Sequence, residues 1–356
     1  MKILQVIPTL NIGGAETMMC NLSCELAKLN HEVIVVSFYK ISSSIVTKLY
    51  ENNIKVIFLE KRAGFDISIL FKLKKIIKEE NPDILHTHLH VLPYVWITSG
   101  NIRIVHTLHT IASKEQSGIG KKICEFIYKF SSKCIPVAIS KNVKNSFDNE
   151  YHENFSMRII ENGVPIEKII PKSDYMLKEK INCIHVGSFS KVKNHEIMIR
   201  SIKKLVDKNY DINLNFYGTG ELLDNIEKMV SEYQLEENVI FKGLSSNIYT
   251  ILNKYDIFLL PSKYEGVPMS LLEAMSAGLP CIASNVGGTK DIISSNKDGI
   301  LINPCMEELT EAIEKLIIDN SLRERIGRNA IIKSRSYSSE VMAQKYIEVY
   351  TNEKME

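Results

Sequence analysis

The chain has 356 residues, of which 45% are hydrophobic and 24% charged, and its formal net charge is +2. This length favours two domains with separate cores, and the composition is typical of a globular protein rather than of a disordered or repetitive one. The mild charge excludes a general electrostatic affinity for nucleic acid, so we expect no nucleic-acid partner.

The amino terminus and the cysteines predict a cytoplasmic location. The opening stretch MKILQVIPTLNIGG is broken by proline, asparagine and glycine, unlike a secretory signal. No apolar run reaches the roughly 18 residues that a membrane span needs. The seven cysteines are scattered and never spaced as C-x-x-C, which is typical of buried thiols in a reducing compartment.

Apolar strands alternate with amphipathic helices along the first half of the chain. The predicted strands are KILQVIP, EVIVVSF, KVIFLE, DILHTH, RIVHTLH and CIPVAIS. The predicted helices include one from Ala15 to about Asn30 and one from about Ile67 to Glu80. Continuous apolar runs separated by helices indicate parallel strands that are covered on both faces.

The same pattern restarts after a polar segment near residues 165–180, with INCIHVGS, INLNFYG, NVIFKG, IFLLPS, PCIAS and GILIN. We therefore predict an α/β protein of two doubly wound, Rossmann-like domains, residues 1–170 and 171–337, which face a central cleft. A lone helix follows from about residue 338. Ligands of such sheets bind at the carboxyl ends of the strands, so the loops after strands hold the candidate residues.

Gly13 and Gly14 lie between the first strand and the first helix, in TLNIGGAE. Glycines let the backbone approach a ligand closely, and the first amides of a helix attract a phosphate. A tight strand-to-helix turn explains the pair equally well. Neither this stretch nor YGTGELL is a G-x-G-x-x-G motif, so a dinucleotide fingerprint is absent.

Lys191, Lys193 and Asn194 follow a predicted strand in VGSFSKVKNHE and precede a helix. A lysine at the start of a helix opposes the helix dipole, and an anion bound there relieves the conflict. A solvated surface lysine is the commoner situation for any single lysine. The position favours a phosphate contact.

Glu265 and Glu273 bracket the stretch EGVPMSLLE after the strand IFLLP. Pro268 suits the first turn of a helix, so Glu273 lies inside the helix and Glu265 in the loop before it. The two acids can face one ligand from different elements. Alternatively, Glu265 complements the helix dipole and Glu273 pairs with a lysine.

Five of the nine histidines occur in LHTHLHV and VHTLHT. Alternation along a strand places His86, His88 and His90 on one side, which suggests zinc. No cysteine or carboxylate has ligand spacing, and there is no Asp-x-Asp pair for a divalent ion. We therefore expect histidines that line the cleft, with no metal and no cofactor.

A basic amphipathic helix is predicted over residues 120–133, GKKICEFIYKFSSK. Its apolar positions are Ile123, Phe126, Ile127 and Phe130, with lysines around them. Such a helix can lie on an anionic membrane, although packing on its own core is commoner. A membrane surface is therefore a candidate partner.

Together these stretches resemble the retaining glycosyltransferases of the GT-B fold, family 4 (group 1), over nearly the whole chain. The pieces include GGAE, PDILHTH, HTLHT, AISKNV, IIENGV, VGSFSKVKNH, YGTGEL, VIFKG and LPSKYEGVPMSLLEAMSAGLPCIASNVGG. Two glutamates separated by seven residues are the family signature. The resemblance implies that a nucleotide sugar binds in the cleft, and that the last helix packs back on the first domain.

The resemblance also implies roles for individual residues. Glu273 would bind the ribose, Glu265 would orient the transferred sugar, and His109 would lie near the reacting carbon. On the acceptor side it places His88, Thr110 and Asn162. The donor would be bound by Gly13, Gly14, Ser188, Lys193, Asn194, Gly218, Gly243, Glu265, Gly266, Val267, Pro268, Met269, Ser270, Leu271 and Glu273. Many members carry an arginine where this chain has Ser188, so one cationic phosphate contact is missing.

The implied reaction moves a hexose or N-acetylhexosamine, with retention of configuration, from a nucleotide sugar to a saccharide or lipid-linked saccharide. UDP is the commonest nucleotide in the family, and bacterial surface polysaccharide synthesis is the expected setting. Same-face attack is favoured over double displacement through Glu265. Two alternatives stay open: a nucleotide-sugar 2-epimerase, and a sugar-nucleotide-binding protein without activity. The expected location is cytoplasmic, with peripheral attachment to the cytoplasmic face of the membrane if the acceptor is a lipid.

Overall fold

The computed structural model describes residues 1–64, 66–115, 118–151, 157–245 and 248–351. The chain divides into two compact units. The first consists of Met1–Val164 and the chain from Ser339 onward, and the second of Pro165–Ser338. Each unit is built on one parallel sheet.

The sheet of the first unit has seven parallel strands in the order β3-β2-β1-β4-β5-β6-β7. The strands are β1 (Lys2–Ile7), β2 (Glu32–Ser37), β3 (Lys55–Phe58), β4 (Ile84–His88), β5 (Arg103–Leu108), β6 (Cys134–Ala138) and β7 (Arg158–Ile159). The helices before residue 152 are α1 (Gly14–Lys28), α2 (Ser44–Glu51), α3 (Ser68–Glu80), α4 (Leu92–Thr98), α5 (Ala112–Glu115), α6 (Gly118–Phe130) and α7 (Lys141–Tyr151).

The sheet of the second unit has six parallel strands in the order β10-β9-β8-β11-β12-β13. The strands are β8 (Ile181–Val186), β9 (Ile212–Tyr217), β10 (Val239–Phe241), β11 (Ile257–Leu260), β12 (Cys281–Ser284) and β13 (Ile300–Ile302). The helices are α8 (His195–Asp207), α9 (Leu223–Glu232), α10 (Ile248–Ile251), α11 (Met269–Ser276), α12 (Thr289–Ile292), α13 (Met306–Ile318) and α14 (Asn320–Ser334).

The final helix, α15 (Ser339–Thr351), belongs to the first unit. It packs on α1. The hydroxyl group of Tyr346 lies 2.7 Å from Oγ1 of Thr107, and that of Tyr350 lies 2.7 Å from Nδ1 of His86. Both tyrosines are buried. The last turn of the chain that the structure describes therefore contributes to the core around β4 and β5.

Burial of both sheet faces explains why the strands could be recognised. In β1, β4 and β11 nearly every residue is buried, as expected for parallel sheets with helices on both sides. The predicted first helix is confirmed with shifted ends. It ends at Lys28 because Asn30 adopts a left-handed backbone with φ of 63°.

The expectation for His90 is wrong in its geometry. Strand β4 ends at His88, and His90 lies in the 3₁₀ turn Leu89–Val91 with its side chain exposed. His86 and His88 do share one side of the strand, with ring centroids 4.3 Å apart. The three histidines therefore do not form one row along a strand.

Candidate active site

The strand order of each sheet reverses at one point, where neighbouring strands connect onward in opposite directions. In the second unit this point lies between β8 and β11, and in the first unit between β1 and β4. Loops diverge there and leave a crevice at the carboxyl ends of the strands. Lys193 follows β8 and Glu265 follows β11, whereas Gly14 follows β1 and His88 ends β4.

Lys193 and Glu265 form a direct ion pair at the crevice of the second unit. Nζ of Lys193 lies 2.7 Å from Oε1 of Glu265, which also accepts a 2.6 Å hydrogen bond from Oγ of Ser262. The two side chains are 17% and 10% exposed. A lysine ammonium has three donors, and among the described residues this contact uses one, which leaves two donors for a second anion.

Two glycines support the loop that carries Glu265. The amide of Gly288 donates a 3.1 Å hydrogen bond to the carbonyl oxygen of Glu265. Gly287 has φ of +51°, and a Cβ there would lie 1.8 Å from that same carbonyl oxygen. Only glycine fits such an approach. The pair occurs in the stretch NVGG, but sequence reasoning gave it no role.

Helix α11 begins at Met269, directly after Pro268, whose extended backbone has φ of −71° and ψ of 115°. Among the described residues, the amides of Met269 and Ser270 have no hydrogen-bond acceptor. Free amides and the helix dipole make this end attractive to an anion. Glu273 lies one turn further along the helix and is 7% exposed.

Glycines also hold together the loops after the neighbouring strands. Gly218, after β9, has φ of +145°, and a Cβ there would lie 1.9 Å from the carbonyl oxygen of Gly187, after β8. The amide of Gly218 donates to the carbonyl of Gly243 at 2.8 Å. Ser188, next to Gly187, is exposed. Backbone contacts therefore fix the loops after β8 and β9, and the side chain of Ser188 is left exposed to solvent.

His109 and His88 are joined in the first unit. Nδ1 of His88 lies 3.0 Å from Nε2 of His109, and Nε2 of His88 lies 2.7 Å from Oε1 of Gln5. His88 is fully buried, so its side chain contacts His109 and Gln5 rather than solvent. Burial lowers the pKa of His109 to about 3, so this imidazole is neutral at neutral pH. Sequence reasoning missed Gln5.

Glu115 fixes the loop that follows His109. Its Oε2 accepts a 3.3 Å hydrogen bond from the amide of Thr110, and burial raises the pKa of Glu115 to about 8. Its Oε1 lies 4.0 Å from Nε2 of His106. Sequence reasoning also missed Glu115, because only the fold shows its burial. Residues 116 and 117, which follow Glu115, lie outside the described residues.

The remaining predicted residues of the first unit lie at the same edge of the sheet. Gly13 precedes α1 with an extended backbone, and a Cβ at Gly14 would meet no protein atom within 4 Å. Asn162 is buried. A side chain at Gly14 would enter open space, which is the situation in which glycine permits a ligand to approach the backbone. Within the described residues no group of three or more His, Cys, Asp or Glu is arranged to hold a metal ion.

Two family models together account for most of the chain. "Glycosyltransferase Family 4" matches residues 12–168, and "Glycosyl transferases group 1" matches residues 167–333. The chain belongs to this family of glycosyltransferases. The junction of the two matches lies a few residues beyond the division at Val164 between the two units of the enzyme.

Known relatives agree with the assignment. The enzyme is 30% identical over 262 residues to the Escherichia coli "UDP-Gal:alpha-D-GlcNAc-diphosphoundecaprenol alpha-1,3-galactosyltransferase", covering 67% of this chain and 66% of the relative. It is 26% identical to the Bacillus anthracis "N-acetyl-alpha-D-glucosaminyl L-malate synthase", covering 96% and 94%. The crystal structure of Anabaena HepE in complex with UDP-glucose superposes with a TM-score of 0.84, at 20% identity and 99% coverage of both chains. The glycosyltransferase therefore has the GT-B fold.

Proposed function

We propose that this glycosyltransferase moves a hexose or N-acetylhexosamine from a UDP-sugar, with retention of configuration, to a saccharide or lipid-linked saccharide. The observation that carries the proposal is the Lys193–Glu265 ion pair, whose Nζ and Oε1 atoms lie 2.7 Å apart. Glu265 lies four residues before the start of α11. A cation, a helix start and an acid together can bind a diphosphate and a sugar. The Escherichia coli relative is named as a UDP-Gal-dependent transferase, and the HepE structure is a complex with UDP-glucose.

The proposed chemistry depends on stabilising the leaving nucleotide diphosphate. Negative charge develops on that group as the glycosidic bond breaks, and donors already in place there lower the barrier. Lys193 and the amides at the start of α11 are such donors. We propose attack by the acceptor from the face that the leaving group vacates, with the departing phosphate taking the acceptor's proton. A covalent glycosyl adduct trapped on Glu265 would instead establish double displacement.

The deciding experiment is nucleotide release from a panel of UDP-, GDP- and ADP-sugars, with and without added acceptors. We expect release from UDP-sugars that depends on the acceptor and is unchanged by a chelator. A 2-epimerase would convert the free UDP-sugar to its epimer without an acceptor. A binding protein without activity would show donor binding by calorimetry and no turnover with any acceptor.

The acceptor is proposed to be a lipid-linked saccharide of a bacterial surface polysaccharide. The name of the Escherichia coli relative contains a diphosphoundecaprenol acceptor. The Bacillus anthracis relative is named for L-malate, so a small soluble hydroxy acid is the second candidate. Transfer to diphosphoundecaprenol-linked GlcNAc but not to L-malate would support the first candidate, and the reverse result would establish the second.

A surface of the first unit supports the lipid-linked acceptor. Cys124 and Ile127 of α6 pack inside, whereas Ile119, Phe126 and Phe130 are 79%, 51% and 72% exposed. Lysines lie around them at 121, 122, 129 and 133, of which Lys121 pairs with Glu150 and Lys129 with Glu125. Of the predicted apolar stripe, Ile127 thus packs in the core, whereas Phe126 and Phe130 are exposed to solvent. We propose that this face binds an anionic membrane, through apolar insertion and lysine contacts to lipid headgroups. Every helix that the structure describes is too short or too polar to span a lipid bilayer.

Liposome co-sedimentation tests this surface. We expect binding to vesicles that contain phosphatidylglycerol, little binding to phosphatidylcholine alone, and a loss of binding in the double variant Phe126→Ser, Phe130→Ser. Ile332→Ser is the matched control, because Ile332 is 64% exposed in the second unit. Equal binding by the double variant and the control would refute a role for α6.

A further inference from the structure

The second unit contains a pocket of about 380 Å³ between the first turns of α8 and α9 and the loop after β11. Its lining residues are Ser190, Lys191, Asn194, His195, Glu196, Leu222, Asn225, Ile226, Met229 and Lys263. Asn194 is also a candidate donor residue, and Lys191 belongs to the same stretch for which the sequence favours a phosphate contact, whereas the other lining residues are not donor candidates. The pocket is therefore formed by a different set of side chains from the Lys193–Glu265 site.

The charges of the pocket favour an anion. Lys191 and Lys263 are exposed, and neither ammonium group forms an ion pair or hydrogen bond with the part of the chain that the structure describes. The single acid of the lining, Glu196, accepts a 2.6 Å hydrogen bond from Arg200. Two cations without partners thus face a pocket whose one carboxylate is already paired.

His195 supplies an independent indication of a ligand. It is the first residue of α8, is 2% exposed and stacks on Phe189 with ring centroids 4.3 Å apart. Within the described chain neither ring nitrogen has a hydrogen-bond partner. Burial, aided by the nearby charge of Lys193, lowers the pKa of His195 to about 4, so the ring is neutral and keeps one N–H donor. A buried donor without an acceptor is destabilising, so a ligand that accepts from it is favoured.

The start of α8 contributes positive potential to the pocket. The helix has 13 residues, so its dipole and first amides place positive potential at the end where His195 and Glu196 line the pocket. The opposite wall is apolar and consists of Leu222, Ile226 and Met229. The pocket therefore combines a cationic, donor-rich side with an apolar side, and its volume lies in the usual range for small-molecule sites.

We propose that this pocket binds a small organic anion, with its phosphate or carboxylate group between Lys191, Lys263 and the start of α8. The organic part of the ligand lies against Leu222, Ile226 and Met229. The N–H group of His195 donates a hydrogen bond to the anionic group, which satisfies the buried ring. This second site is distinct from the donor site and does not depend on the identity of the transferred sugar.

The test uses the full chain with ¹³C-labelled histidine, and the imidazole resonance of His195 is assigned by its loss in His195→Gln. Phenyl phosphate, benzoate and inorganic phosphate are titrated separately, each without UDP and again in the presence of excess UDP. We expect a saturable shift of the His195 resonance with phenyl phosphate or benzoate, and weaker binding of inorganic phosphate, which lacks an apolar part. Comparison of the two aromatic probes identifies the anionic group that the pocket prefers.

Lys263→Gln should weaken the binding of the aromatic probe about tenfold, since it removes one charge-assisted contact. Lys297→Gln is the matched control, because Lys297 is an exposed lysine of the same unit outside the pocket. Three results would overturn the proposal: no saturable shift with either aromatic probe, equal effects of the two lysine substitutions, or loss of the shift when UDP is added. The last result would show that the probes occupy the donor site.

Discussion

Nδ1 of His88 lies 3.0 Å from Nε2 of His109, and the other nitrogen of His88 faces Oε1 of Gln5 at 2.7 Å. An amide oxygen accepts, so Nε2 of His88 carries its proton and Nδ1 is the acceptor. His109 therefore donates from Nε2, which leaves its Nδ1 without a proton. These two contacts fix the tautomer of His109, and the proposal makes Gln5 and His88 positioning residues.

Gln5→Leu should lower kcat for nucleotide release about tenfold, because it removes the acceptor that holds His88, and should change the KM for the donor less. Gln5→Glu keeps an acceptor at the same place, so it should restore most of kcat. Steady-state kinetics at several pH values give kcat and the donor KM of both variants. Equal losses in the two variants would contradict the tautomer argument and indicate a purely structural role.

Glu273→Ala and His109→Ala should separate binding from turnover. Glu273 is proposed to bind the ribose, so its loss should weaken UDP binding in calorimetry by about tenfold or more. His109 is proposed to lie near the reacting carbon, so its loss should chiefly lower kcat. Mild and equal effects of the two substitutions would mean that the site has been misplaced.

Ser188→Arg should strengthen the binding of UDP. Ser188 is exposed at the end of β8, close in sequence to Lys193, and an arginine there can bind a diphosphate in a bidentate manner. We expect a dissociation constant several-fold lower in calorimetry, with a stronger dependence on salt. Ser188→Gln is the control of similar length without charge. A gain of equal size with glutamine would exclude an electrostatic cause.

Acidification should destabilise the first unit. Burial lowers the pKa values of His86 and His88 well below the usual range, and those of His106 and His109 to about 3. In the unfolded chain these groups titrate near 6.5, so their contribution to stability is complete above that pH and is lost as the pH falls towards the folded values. Between pH 7 and 5.5 the loss should be about 1 kcal/mol for each histidine.

Urea unfolding followed by fluorescence of Trp96 measures this effect, since Trp96 lies in α4 and is the only tryptophan of the chain.

Glu115 acts in the opposite direction to the four histidines. Its pKa is raised to about 8, so the stability that it contributes is lost as the pH rises through that value. Glu115→Gln should therefore remove a decline in stability between pH 7 and 8. For the histidines, an unfolding midpoint that is constant from pH 7 to 5.5 would contradict the expected loss of stability.

The strands and the main site elements could be predicted because their signals are local. Parallel strands buried on both faces are continuous apolar runs, and Lys193 and Glu265 are polar residues placed directly after such runs. The Gln5–His88 contact joins residues 83 positions apart, and nothing in either local sequence indicates it. Glu115 looks like a surface residue of a short helix until the fold buries it. The lysines of the pocket, 191 and 263, likewise meet only after β8 and β11 become neighbours.

The membership of α15 in the first unit has a consequence for synthesis at the ribosome. The second unit is one continuous stretch, Pro165–Ser338, so it can complete its core as soon as that stretch has left the exit tunnel. The unit that is translated first must wait longer, because Tyr346 and Tyr350 supply the partners of Thr107 and His86. The amino-terminal half therefore cannot complete its core before the segment that follows the second unit has been made.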